Sequence, residues 1–153
     1  RKMEEQELDG IILAAAGLKR LGLAERICSF IDTETSIPAA GQGVMAVEAR
    51  SDDKETLDLI SFLHDSDVAS CITTERAFLA KVGGDCKVPA GIYATAKDGG
   101  IEAHAFIAST DGKRLYRSER SAAVSEAVSV GKALAAELLD AGGREVLEEM
   151  QKI

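Results

Sequence analysis

Cys86 is a lone thiol within GGDCKVP, residues 83–89, a glycine-rich turn that closes on Pro89. A thiolate is a soft nucleophile suited to a lasting carbon–sulfur bond. Glycines on one side and a stiff proline on the other leave room for a bulky group on the sulfur. Lys87 favours the thiolate and Asp85 opposes it, so local charge does not decide its reactivity. Gly17, Lys19 and Arg20 form a second constellation. Helix amides and a guanidinium there suit a carboxylate or phosphate, and Arg20 is the better anchor because its planar fork grips with two hydrogen bonds. The alternative is a solvated basic pair. Gln42, between Gly41 and Gly43, either presents its amide to a polar ligand or belongs to a simple turn. Cys28 and Cys71 read as small core residues on apolar helical positions. Glu75, Glu102, Glu119 and Glu126 read as exposed charges. His64 and His104 lack metal-ligand spacing from any cysteine, so no metal site is expected.

These residues need elements to hold them. Residues 8–16, containing GIILAAA, read as a buried parallel strand, with Gly17 as the turn and LKRLGL as a short helix. CSFIDTETSIPAAGQG is a connector leading into a second apolar strand, VMAVEAR. A helix is expected after Asp52 or Asp53 as N-cap, with Leu57, Ile60 and Leu63 at helical spacing. A longer helix follows over residues 67–82, with Val68, Cys71, Ile72, Ala77, Phe78 and Leu79 as its apolar set, stopped by Gly83 and Gly84. Residues 88–96, 101–109 and 114–119 read as three strands joined by the hairpin turns KDGG and TDGK. Ala127, Val130, Leu134, Leu138 and Ala141 trace one face of a further helix, and REVLEEM continues after Gly142 and Gly143. The order α-β-β-β-α-α makes the fold class α/β. Its C-terminal part is an α+β domain, a three-stranded antiparallel sheet with helices on one face. The half before it cannot close a core alone, and the chain is expected to be the C-terminal part of a longer protein.

Among 153 residues, 46% hydrophobic content is enough to fill a core, while a net charge of −8 argues against non-specific binding to nucleic acid or anionic membrane. Three widely spaced cysteines fit a reducing compartment, and no apolar run is long enough to span a bilayer. A cytoplasmic location is expected.

Three segments in order, LDGIILAAAGLKRLGL, IPAAGQGVMAVEAR and TERAFLAKVGGDCKVPAGIYA, resemble the porphobilinogen deaminase (hydroxymethylbilane synthase) family. The resemblance runs from about residue 8 to about residue 150. It implies a three-domain transferase of tetrapyrrole biosynthesis that joins four porphobilinogen molecules head to tail, with loss of ammonia. The chain grows on a dipyrromethane cofactor held through a thioether, and the matching cysteine is Cys86. By the same resemblance Arg20 partners pyrrole carboxylates, Ala14 and Gly17 line the same wall, and Gln42 and Gly43 contribute from the connector.

The resemblance also implies that residues 1–37 end a second, periplasmic-binding-protein-like α/β domain. Residues 38–64 return to the first such domain, and residues 65–153 form the third, cofactor-attachment domain. The family's catalytic aspartate and most of its arginines lie upstream of Arg1. The implied partners are therefore porphobilinogen and the N-terminal part of the same enzyme, monomeric when full length, with no nucleic acid or membrane. Asp85 departs from the glycine that many relatives carry before the cysteine. Two rival readings are a non-catalytic binding or regulatory module with the same fold, and a thiol redox protein, which lacks a nearby resolving cysteine.

Overall fold

Asp98 and Gly99, in KDGG, take φ values of 53° and 76°, the paired positive angles of a two-residue type I′ hairpin turn. In the computed structural model, which describes residues 2–83 and 88–150, this turn joins β1 (Ala90–Lys97) to β2 (Gly100–Ala108). The next turn is tied by Asp111, whose Oδ1 accepts from the Ser109 hydroxyl at 2.6 Å and the Lys113 amide at 3.1 Å. It leads into β3 (Leu115–Ala123). The sheet is antiparallel in the order β1-β2-β3, with Ala94 opposite Ala103 and Ala105 opposite Ser118.

Because side chains alternate across a strand, Ile92 and Ala94 share a face with Ile101, Ala103, Ala105 and Ile107. That face is buried beneath α4 (Ser66–Val82) and α5 (Ala127–Leu138). Asp65 caps α4 by accepting from the amides of Asp67 and Val68, and Gly83 ends it at φ 120°. From α5, Val130, Leu134, Ala135 and Leu138 point inward, and α4 contributes Phe78 and Val82. The two helices touch closely at Gly131, where an added Cβ would overlap the Thr74 carbonyl oxygen and lie 2.9 Å from the Phe78 nitrogen. Past α5, the chain kinks at Gly142 (φ 126°) beneath the Tyr116 ring and resumes as α6 (Arg144–Met150).

These elements belong to the larger of two compact units, Thr33–Ile153. It also holds α3 (Lys54–Ile60), whose N-cap Asp53 accepts from the Thr56 amide at 3.0 Å. The other unit, Arg1–Asp32, holds α1 (Lys2–Glu5), α2 (Ala15–Arg20) and a 3₁₀ turn, Ala24–Arg26. None of its described residues is buried.

The three strands, their turns and the principal helices match the sequence reading. Several expectations are corrected. Residues 8–16 form no strand: residues 10–14 are irregular and α2 begins at Ala15. Residues 44–50 are likewise irregular. A strand needs hydrogen-bonding neighbours, and among the described residues neither segment has one. Gly17 is therefore inside a helix rather than at a turn. Cys28 is exposed in an irregular stretch, while Cys71 does pack against the core. Ala141 is exposed because the kink at Gly142 turns it out of the α5 face. Glu75 is buried at 5% exposure, on the inward stripe of α4.

Candidate functional site

In the smaller unit, Ala14, Gly17 and Arg20 share one short helix. Ala14 is the N-cap, with extended backbone (φ −66°, ψ 113°), and its carbonyl accepts from the amides of Gly17 at 3.0 Å and Leu18 at 3.3 Å. The helix ends because Gly22, at φ 71°, donates to the Lys19 carbonyl while Leu23 donates to that of Leu18, a Schellman closure. Lys19 and Arg20 then diverge. The Lys19 ammonium lies 5.1 Å from the centre of the Phe30 ring, a cation–π contact. Arg20 is exposed and, among the described residues, has no carboxylate partner. Of the basic pair, Arg20 is the cation left to meet an anion.

In the larger unit, the connector runs along the free edge of β1. The Ile92 amide donates to the Pro38 carbonyl at 3.0 Å, and Ile37 is buried. Gly91 permits this approach: a Cβ there would stand 2.5 Å from Phe106 Cε1 and 2.6 Å from the Pro38 carbonyl oxygen. The chain then leaves the edge in a turn over residues 40–43. Gly41 (φ 80°) and Gly43 (φ 77°) flank Gln42, whose amide donates to the Ala39 carbonyl at 3.3 Å. Positive φ on both sides leaves Gln42 exposed with little steric cover, as its sequence setting suggests.

Sequence reasoning missed what anchors this turn. Glu75 Oε2 accepts from the Gly41 amide at 2.7 Å, and Oε1 accepts from the Ala94 amide at 3.0 Å. Burial raises the carboxyl's pKa above the usual glutamate value, against the opposing pull of these two N–H bonds, which favour the anion. The signal was present in the spacing: Glu75 lies four residues after Cys71, three before Phe78 and seven before Val82, all on the core-facing side of α4.

Cys86 lies outside the described residues. Its flanks are fixed by Gly83 at the end of α4, whose amide donates to the Leu79 carbonyl, and by Pro89, whose carbonyl accepts from the Ala108 amide at 2.9 Å. The segment carrying the cysteine thus joins α4 to β1, the two elements that Glu75 bridges. Among the described residues no group of three or more His, Cys, Asp or Glu is arranged to hold a metal, and no helix is long and apolar enough to cross a membrane.

A three-stranded antiparallel sheet covered by α4 and α5 defines the class as a mixed α/β protein. Comparison with known proteins narrows this. Residues 1–58 match the family model described as "Porphobilinogen deaminase, dipyromethane cofactor binding domain", and residues 69–140 match "Porphobilinogen deaminase, C-terminal domain". The chain is 45% identical over 147 residues to the porphobilinogen deaminase of Syntrophotalea carbinolica, covering 96% of this chain and 47% of that protein. It is 47% identical to that of Roseiflexus castenholzii, covering 96% of this chain and 48% of the relative. With that of Staphylococcus epidermidis it shares 43% identity, covering 99% and 49%. The chain belongs to the porphobilinogen deaminase family, and it spans about half the length of the curated relatives it matches.

Proposed function

We propose that this chain is the cofactor-attachment half of a hydroxymethylbilane synthase, which condenses four porphobilinogen molecules with loss of ammonia in tetrapyrrole biosynthesis. The observation that carries the reading is identity of 41–48% over nearly the whole chain to proteins named porphobilinogen deaminase. The residues present suit a dipyrromethane. Its acetate and propionate groups call for cations, and Arg20 is exposed with no carboxylate partner among the described residues; its pyrrole N–H groups call for exposed acceptors, and the Gln42 side-chain carbonyl is one.

In this reading Cys86 attaches the cofactor. Porphobilinogen loses its amine as the C–N bond breaks, the thiol sulfur bonds to the freed methylene carbon, and the thiol proton leaves with the ammonia. When bound, the dipyrromethane supplies the pyrrole terminus to which substrate units are added. Arg20 holds carboxylates by paired hydrogen bonds, Ala14 and Gly17 keep the adjoining wall narrow, and Gln42 with Gly43 orients the pyrrole ring.

The division into residues 1–37, 38–64 and 65–153 belongs to the same proposal, and its second boundary falls in the gap between the two family matches, which cover residues 1–58 and 69–140. So does a cytoplasmic, monomeric full-length enzyme whose N-terminal part covers this one. Ile12 at 83% exposure, Met45 at 80% and Phe62 at 81% are large apolar side chains of the kind a partner surface buries.

Ammonia release from porphobilinogen tests the reading. The full-length protein is expected to turn the substrate over, and this chain alone is expected to show none until the N-terminal part is restored. Absence of turnover by the full-length protein would overturn it.

A further inference from the structure

Among the described residues, Glu75 is the only acidic or basic side chain that is buried. Burying a carboxyl is costly unless its oxygens are satisfied, and a buried group of this kind commonly fixes one arrangement of the chain around it. Here the two oxygens are divided between separate pieces of structure. On the free edge of β1 the amides of Ile92 and Ala94 face outward, two residues apart. The connector satisfies the first through the Pro38 carbonyl and then departs before reaching the second. Glu75 Oε1 takes the Ala94 amide in its place, and Oε2 reaches the Gly41 amide at the start of the departing turn. The carboxyl thus stands in for a missing strand residue and ties the turn to the sheet edge. Gly41 needs the tie, because flanking a positive-φ turn with glycines leaves it many conformations to lose.

We propose that Glu75 is a positioning residue: by holding the amides of Gly41 and Ala94 together, it sets where Gln42 meets the pyrrole ligand. This rests on the reading that Gln42 lines the cofactor and substrate cleft. Glu75 acts through the backbone of the turn and does not touch the ligand. In a Glu75→Gln variant the side-chain amide nitrogen faces an N–H donor, so one of the two bonds is lost while size is kept.

The test uses the full-length, cofactor-loaded protein. Glu75→Gln and Gln42→Ala are each expected to lower kcat/KM about tenfold, the worth of one well-placed hydrogen bond. The double variant is expected to be no worse than the poorer single one, because both remove the same contact. Losses that multiply in the double variant, or wild-type kinetics in Glu75→Gln, would overturn the proposal. Amide hydrogen exchange on the unmutated protein gives a second readout that does not depend on variants folding. The Gly41 amide is expected to be protected alongside that of Ala94, and rapid exchange at Gly41 would overturn the proposal. Unmutated protein that lacks turnover refutes the functional reading instead, leaving exchange at Gly41 to judge the tie.

Discussion

In the full-length protein, Cys86→Ser is expected to leave no covalent pyrrole and to reduce porphobilinogen turnover to background. A serine hydroxyl is a far weaker nucleophile than a thiolate near neutral pH, and the loop sequence GGDCKVP holds no histidine to activate it. The substitution changes one atom of one side chain, and the flanks of the segment are held by backbone bonds at Gly83 and Pro89. Urea unfolding should therefore be unchanged while ammonia release is lost. A variant that still carried bound pyrroles would place the attachment elsewhere.

Gly131→Ala is expected to destabilise the larger unit by about 2 kcal/mol, measured by urea unfolding. Two effects oppose each other here. Alanine in an exposed helix interior gains about 1 kcal/mol over glycine. At Gly131, however, the added methyl overlaps the Thr74 carbonyl oxygen and presses on the Phe78 nitrogen, which are backbone atoms of α4 that cannot rotate aside. Overpacking of this kind costs about 3 kcal/mol, so the steric cost wins. A variant as stable as the parent would mean that α4 and α5 separate freely, contrary to the close approach of Gly131 to the Thr74 and Phe78 backbone.

The C-terminal unit was legible because its signals are local. Asp98 and Gly99 set the hairpin, alternation along β2 sets the buried face, and Gly83 stops α4. The first half was not legible in the same way. GIILAAAG has the composition of a buried strand, yet a strand is completed by neighbours, and α2 takes up its last residues instead. Arg20 and Gln42 were visible as types in suggestive settings, and the structure adds that Lys19 is engaged by Phe30 while Arg20 is not. Glu75 escaped because a glutamate on a helix is usually solvated. Its burial depends on the Gly41 amide 34 residues away, a partner that no helical pattern reveals.

The central claim is that the segment joining α4 to β1 carries the cofactor on Cys86. Intact mass of the full-length protein tests it most directly. The expected result is a mass above that of the bare polypeptide by one dipyrromethane, mapped by peptide digestion to Cys86. A mass equal to the bare polypeptide, or an adduct on Cys28 or Cys71, would contradict it.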